Sequence, residues 1–330
     1  MLNTRTLGNQ GLVVSELGLG TMGMTAFYGS GGSRGESIAV IRRAHELGVT
    51  LFDTAELYNR GTGLNESLVG EALQPIREEV QIATKFGFTY DAEGNSNGHD
   101  SSPANIRRVV ENSLRYLRSD VIDVLYQHRP DPAVPVEDVA GAVGELVAEG
   151  KVKFFGLSES GPETIRRAHA AYPVSVLQTE YSLFERGVET AVLPTLRELG
   201  IGYIAYSPLG RGFLTSAVKP ATEYDESDMR RFDPRWQGEN FDKNKRAIDQ
   251  LAELAGEKKI TPAQLALAWL LAQGDDIVAI PGTRSRTRLE ENLGAADVRL
   301  TADDLARIQA IVPDGAHGAR YVDEHLPSWT

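Results

Sequence analysis

Val49-Thr50-Leu51-Phe52-Asp53-Thr54-Ala55-Glu56-Leu57-Tyr58 is the stretch from which the fold can be read. A short apolar run stops at an acid, and a tyrosine follows five residues later. The pattern returns in Val80-Gln81-Ile82-Ala83-Thr84-Lys85 and in Val121-Ile122-Asp123-Val124-Leu125-Tyr126-Gln127-His128. Each run reads as a buried parallel strand, apolar almost to its end. Each presents an ionisable side chain where it stops. Asp53, Tyr58, Lys85 and His128, delivered this way by successive strands, make one assembled site.

Outward from these strands the alternation is steady. Strands are expected at 16–20, 50–53, 80–84, 121–126, 152–157, 174–178, 201–206 and 277–280. Helices are expected near 35–47, 64–74, 103–117, 136–149, 161–171, 188–198, 240–255, 262–272, 286–294 and 302–311. Ser102-Pro103, Gly161-Pro162 and Thr261-Pro262 are helix starts, with proline in the first turn. The count is eight strand–helix units. Alternation of this kind implies a parallel sheet. Eight units in 330 residues point to a (β/α)8 TIM barrel with its site at the C-terminal strand ends. An open doubly wound sheet is the competing architecture. Residues 5–15, around Gly8-Asn9-Gln10-Gly11, read as an N-terminal β-hairpin. No linker-like shift of composition divides the chain, so 1–330 reads as a single domain. Two long loops lie at the C-terminal face. They are 208–239 and a tail, 313–330, with Tyr321, His325 and Trp329. Loops of this length tend to be functional, and both are placed to cover a barrel mouth.

Bulk properties exclude several classes. The net charge of −12 argues against a nucleic-acid binder and against an anionic membrane surface. No apolar run reaches membrane-spanning length, and Met1-Leu2-Asn3-Thr4-Arg5 lacks the apolar core of a signal peptide. The absence of cysteine removes disulfides, thiol catalysis and thiolate metal sites. The histidines show no metal-ligand spacing, so no metal is expected. A cytoplasmic location fits these features.

Gly18-Leu19-Gly20-Thr21-Met22-Gly23 matches G-x-G-x-x-G behind a strand. A dinucleotide fingerprint needs a helix to open at its glycines, so that pyrophosphate meets the helix N-terminus. About a dozen loop-like residues intervene here, and the motif reads as a decoy.

Taken singly, each site residue has an ordinary reading. An aspartate at a strand end caps a loop, a lysine is solvated or paired, a histidine is satisfied in the core, and a tyrosine packs. Convergence from adjacent strand ends changes that. A phenol is a poor acid at neutral pH unless its anion is stabilised, which a nearby ammonium does. A carboxylate keeps the ammonium in place, and a neutral histidine orients a carbonyl oxygen. The set suits polarising a carbonyl and protonating its oxygen. It lacks an electron donor, so a hydride cofactor is required. Two other chemistries compete: a Schiff base on Lys85, and a carboxylate pair of Glu56 and Glu180 as in a barrel glycosidase.

Those alternatives leave the second half of the chain unexplained. Ser158 and Gln178 end strands and suit a carboxamide. Tyr206-Ser207-Pro208-Leu209-Gly210-Arg211-Gly212 sets an aromatic ring for stacking beside backbone N–H groups suited to phosphate. Pro281-Gly282-Thr283-Arg284-Ser285-Arg286-Thr287-Arg288 then enters a helix as a positive cluster in an acidic protein. Loops after the last two strands are the usual phosphate site of this barrel, and guanidinium suits phosphate.

These ordered motifs resemble the aldo-keto reductase superfamily over essentially the whole chain. The match rests on Asp53, Tyr58, Lys85, His128, Gly156-Leu157-Ser158, Gln178, Tyr206-Ser207-Pro208-Leu209, and Ile280-Pro281-Gly282-Thr283 with Arg288, Glu291 and Asn292. Tyr126 to Pro132 and Ile280 to Arg284 look like a bacterial and plant branch of aldehyde and ketone reductases, which includes pyridoxal and alkaloid reductases. The resemblance implies a barrel that binds NADPH/NADP+ without a Rossmann domain and acts on a small-molecule carbonyl substrate. It implies Tyr58 as general acid with its pKa lowered by Lys85, which Asp53 pairs, and His128 orienting the carbonyl. Gly20, Thr21 and Met22 would border the cofactor. Ser158 and Gln178 would hold its carboxamide, and Tyr206 would stack on the nicotinamide. The 207–212 loop and Ile280 to Gly282 would follow its length. Thr283, Arg284 and Arg288 would hold a 2′-phosphate, with Glu291 and Asn292 at the adenine. Phe27, Tyr28 and Arg129 would line the substrate pocket, and with Trp329 favour an aromatic or apolar carbonyl. Two residues depart from many relatives. Glu159 replaces an asparagine and is expected to accept from the carboxamide. Gly282 replaces a lysine and leaves a 2′-phosphate to Arg284 and Arg288. A cofactor-sensing subunit, like the potassium-channel β subunits, and an NAD-dependent alcohol or sugar dehydrogenase stand as alternatives. The physiological substrate and the choice between monomer and homo-oligomer stay open.

Overall fold

The computed structural model describes residues 2–29, 32–91, 93–215 and 217–322. A hairpin of β1 (Thr4–Leu7) and β2 (Leu12–Ser15) comes first. Then follow β3 (Leu19–Gly20), α1 (Arg34–Glu46), β4 (Leu51–Asp53), α2 (Leu64–Leu73) and β5 (Gln81–Phe86). A second hairpin, β6 (Phe88–Tyr90) and β7 (Ser96–His99), precedes α3 (Pro103–Leu117). Next come β8 (Ile122–Gln127), α4 (Val136–Ala148), β9 (Val152–Ser158), α5 (Pro162–Ala171), β10 (Val176–Glu180) and α6 (Val192–Leu199). The chain continues through β11 (Gly202–Tyr206), α7 (Gly238–Glu257), α8 (Pro262–Leu271), β12 (Ile277–Ala279), α9 (Arg286–Leu293) and α10 (Ala302–Ile311). No helix among the described residues is long and apolar enough to cross a membrane.

Helix starts follow local chemistry. Ser33 and Thr261 close capping boxes with Glu36 and Gln264, and Ser102 caps α3 behind Pro103. Gly161 precedes Pro162 as expected but caps through no side chain.

The eight-stranded sheet runs β3-β4-β5-β8-β9-β10-β11-β12, every pair parallel. Its two ends meet. Leu17 bridges Ala279, Gly20 bridges Gly282, and Gly18 N–H donates to Ala279 O at 2.8 Å. The result is a (β/α)8 barrel, not an open sheet. The seam also accounts for the decoy glycines. A Cβ on Gly18 would come within 2.9 Å of Leu51 O, and one on Gly20 within 2.9 Å of Ile280 O. They are small because strands close there, and α1 opens only at Arg34.

Strand residues alternate between two cores. Leu125 of β8 packs outward among the helices, while Val124 and Tyr126 belong to an inner cluster with Leu51, Ala83, Val176, Ile204 and Val278. That inner cluster fills the barrel. Leu7, Leu12 and Val14 of the first hairpin join it, so the hairpin plugs the barrel floor. Gly202 permits this approach, since a Cβ there would meet Leu7 Cβ at 2.5 Å.

Two features lie outside the expected pattern. The β6–β7 hairpin carries little apolar alternation. Its turn is instead organised by Asp91, which accepts from Glu93 N at 3.0 Å and Asn95 N at 2.8 Å. The 208–239 loop is no loose insertion. It folds into short 3₁₀ turns at Gly210–Gly212, Ala221–Glu223, Met229–Arg231 and Pro234–Trp236, with Arg235 and Trp236 buried.

Candidate active site

The inward parity of the strands selects the site. Six of the eight strands place one further inward residue toward the C-terminal mouth: Asp53 above Leu51, Lys85 above Ala83, His128 above Tyr126, Gln178 above Val176, Tyr206 above Ile204 and Ile280 above Val278. A period of two therefore puts all six in one layer at the C-terminal strand ends. Ser158 joins them beside Gln178, its register partner.

Lys85 is buried at the centre. Its ammonium donates to Asp53 Oδ1 at 2.5 Å, Thr54 O at 2.8 Å and Tyr58 Oη at 3.2 Å. Gln178 Nε2 donates to the other carboxylate oxygen, Asp53 Oδ2, at 2.7 Å. Asp53 is thus fixed from two sides. The Tyr58 and His128 rings meet edge to face at 6.2 Å, and Phe88 packs on His128 at 5.0 Å.

Burial holds the His128 imidazole well below its usual pKa, with Lys85, Arg129 and His99 adding to the effect. It is neutral at physiological pH and able to donate a hydrogen bond. Burial likewise lowers Lys85, against the pull of Asp53. For Tyr58 the expected direction is corrected. Burial, then Asp53, Tyr321 and Tyr28, push its phenol well above the ordinary value, and Arg129 opposes them. The enclosed oxygen loses more on leaving water than a cation shared with Asp53 and Thr54 O returns. Tyr58 therefore keeps its proton at neutral pH, as a proton donor must.

A cleft of about 1980 Å³ opens over this layer. It is bordered at one end by Asp53, Tyr58 and His128, and at the other by Thr283, Arg284 and Arg288. Gly20, Met22, Ser158, Gln178, Tyr206, Ser207, Pro208, Leu209 and Gly212 line it between, as do Ile280, Pro281, Gly282, Glu291 and Asn292. Phe27, Tyr28 and Arg129 line the catalytic end, and Tyr224, Met229 and Arg230 of the long loop border it. The wall fits an elongated nucleotide. Among the described residues the Ser158 hydroxyl has no hydrogen-bond partner although the residue is buried. Ser207, Gly210 and Gly212 have positive φ, which turns the 207–212 backbone sharply beside the cleft. At the far end the guanidinium-bearing start of α9 is exposed.

Several expected site residues do other work. Thr21 lies beneath the wall, its hydroxyl bonded to Asp53 O at 2.8 Å and Asn65 Oδ1 at 2.6 Å. Gly210 is buried against Leu214 and Phe184. Arg211 borders the cleft, but its guanidinium is spent on Asp233 at 2.6 Å and Glu180 at 3.0 Å, so it offers phosphate nothing. Glu159 does not await a carboxamide. It accepts from both terminal nitrogens of Arg320, from Tyr206 Oη at 2.7 Å and from Glu180 N at 3.3 Å. The competing chemistries also fail on geometry. All three Lys85 donors are engaged, and Lys85 sits behind Tyr58 instead of facing the cleft, so it is no Schiff-base amine. Glu56 and Glu180 do not line the cleft. Burial opposes ionisation of Glu180, but Arg211, Arg235 and Arg320 overcome it and hold the carboxyl at about 2.

Other participants escaped the sequence. Asn65, fully buried, accepts from Thr21 and Thr54 and donates to Thr25, tying the strand ends that carry the site. Asn65 and Glu66 are polar residues in the first turn of α2, where an exposed polar face is ordinary, so nothing local marks Asn65 as buried. From the tail, Tyr321 reaches the cleft, its hydroxyl 3.1 Å from Tyr206 Oη and Arg211 over its ring at 4.4 Å. His325 and Trp329 lie outside the described residues.

The sequence profile of the aldo/keto reductase family matches residues 16–313. A probable aldo-keto reductase 1 from Glycine max is 45% identical, over 98% of this chain and 93% of its own. Among solved structures, a glycerol dehydrogenase from Gluconobacter oxydans superposes with a TM-score of 0.85 at 30% identity, covering 93% of this chain and 94% of that one. An aldo-keto reductase from Bacillus halodurans, in its holo form, gives 0.80 at 28% identity, with 98% and 99% coverage.

Proposed function

The chain belongs to the aldo/keto reductase family of oxidoreductases, and on that premise we propose that it is an NADPH-dependent reductase of aldehydes or ketones. The observation that carries the reading is the buried Asp53–Lys85–Tyr58 chain ending beside a neutral His128 at a cleft. The nicotinamide cofactor supplies the hydride. Ser158 and Gln178 would hold its carboxamide, Tyr206 would flank its ring, and Thr283, Arg284 and Arg288 would hold its phosphate end. His128, neutral, donates to the substrate carbonyl oxygen and orients it. Tyr58 Oη gives that oxygen its proton as negative charge develops there. The Lys85 ammonium then stabilises the tyrosinate left behind, while Asp53, braced by Gln178, keeps the ammonium charged and aimed. Phe88, Tyr28 and Tyr321 line this end of the cleft with aromatic surface.

The test is fluorescence titration with NADPH and NADH, followed by turnover of a nitrobenzaldehyde by wild type and Tyr58→Phe. We expect tighter NADPH binding, and a loss of about 10²–10⁴-fold in kcat for Tyr58→Phe with cofactor affinity retained. Loss of cofactor binding in that variant would remove Tyr58 from the acid role. Tight binding without turnover in wild type would favour a cofactor sensor. The similarity to a glycerol dehydrogenase favours one second reading, alcohol oxidation with NAD+. Preference for NADH in the same titration would select it.

A further inference from the structure

The guanidiniums around the catalytic end differ in how their donors are used. Arg211 is bound by Asp233 and Glu180, and Arg230 makes a bidentate pair with Asp228 at 2.9 and 2.6 Å. Arg320 makes a bidentate pair with Glu159. Arg129 makes no side-chain hydrogen bond among the described residues. Its Nη1, itself buried, forms an ion pair with Glu159 Oε2 at 3.3 Å that is out of line for a hydrogen bond. That carboxylate is already taken by Arg320, Tyr206 and Glu180 N. The other guanidinium nitrogens of Arg129 make no hydrogen bond among the described residues, and its side chain, 22% exposed, lines the cleft, so Arg129 brings donors to the wall. Leaving such donors unmade in a largely buried place is costly, and an anion accepts them best.

Its position fixes what it can reach. Arg129 follows His128 directly, and the His128 backbone is pinned by its N–H to Phe86 O at 2.9 Å. Tyr58, His128 and Arg129 line the same cleft, so Arg129 borders the space a substrate held there would fill. The guanidinium lies over the Tyr321 ring, 5.7 Å from its centroid, and Tyr28 and Phe88 complete an aromatic surround.

We propose that Arg129 is a specificity-determining residue that selects carbonyl substrates carrying a carboxylate a few atoms from the reacting carbon, with flat aromatic aldehyde acids and oxo acids as the class. The proposal rests on the reductase reading above. Bidentate N–H···O contact forms between Arg129 and the substrate acid, while the acid's stem packs on Tyr321 and Tyr28.

The experiment compares 4-carboxybenzaldehyde with its methyl ester, in wild type, Arg129→Met and Arg129→Lys. The ester is the more electrophilic aldehyde, so a preference for the acid cannot come from intrinsic reactivity. Wild type should favour the acid in kcat/KM by about tenfold to a hundredfold, the usual size of a hydrogen-bonded charge contact. Arg129→Met should bring the ratio near or below one, and Arg129→Lys should keep part of it. A wild-type ratio near one, with the ester turned over, overturns the proposal and leaves the reductase reading standing. A ratio that survives in Arg129→Met also overturns it. Failure of both aldehydes with both NADPH and NADH overturns the reductase reading, and the proposal with it. The wild-type ratio decides even if Arg129→Met does not fold.

Discussion

Replacing Lys85 by methionine tests the buried centre of the site. Methionine fills a similar volume but gives up contacts at 2.5, 2.8 and 3.2 Å to Asp53, Thr54 O and Tyr58. Asp53 keeps only the Gln178 amide on Oδ2, at 2.7 Å. A carboxylate in that position is buried without a counter-charge, at a cost of about 3–5 kcal/mol. Asp53→Asn in the same background removes the charge. What remains is hydrogen bonds left unmade, about 1–3 kcal/mol. The double variant should therefore be more stable than Lys85→Met alone, by about 2 kcal/mol, a coupling of the size expected for side chains in contact. Urea unfolding at pH 8, read by the fluorescence of buried Trp236 and Trp269, measures the difference. Activity should stay abolished in both variants, since neither restores the cation beside Tyr58. A double variant no more stable than Lys85→Met refutes the buried-charge argument.

Two pH effects have opposite signs. Burial raises the Glu56 carboxyl to about 7, with Arg108 opposing and Glu66 assisting. Its folded pKa exceeds its unfolded value, so its contribution is full below about pH 4.5 and is lost as pH rises to 7; Glu56→Gln should match wild type near pH 5 and exceed it by on the order of 2–3 kcal/mol at pH 8 in urea unfolding. Equal stability of the two proteins at pH 8 would show that Glu56 ionises freely. His128 is depressed instead, so its contribution is complete above about pH 6.5 and falls by up to about 1.4 kcal/mol per pH unit below that. The stability difference between wild type and His128→Gln should shrink accordingly from pH 6.5 to 5, and a constant difference would mean that the imidazole is not desolvated.

Much of this site was legible because a barrel strand is read with a period of two. Asp53, Lys85 and His128 each end an apolar run, and closure of parallel strands brings such ends together whatever lies between them. Ser158, Gln178, Tyr206 and the Pro281–Arg288 cluster were legible for the same reason. The residues that sequence misplaced are those whose partners are far along the chain. Arg211 reads as a cofactor residue because its partners Asp233 and Glu180 lie 22 and 31 residues away. Glu159 looked free because Arg320 is 161 residues away. Thr21 pointed toward the cofactor until its bond to Asn65 turned it inward.

By itself, then, the sequence determined the order of strands and helices, the barrel they close into, and which side chains stand at the strand ends. Apolar periodicity and end-stopping acids are local, and parallel sheets leave little choice of face. Only the tertiary structure decided how those side chains are charged and to whom they are committed. It raised Tyr58, fixed Asp53 between Lys85 and Gln178, and spent Arg211 and Arg320 on buried carboxylates. It set Arg129 at the cleft wall, ion-paired with Glu159 but without a hydrogen bond to it. Burial and counter-charge depend on what packs across the barrel from every strand at once, and no local stretch of sequence encodes them.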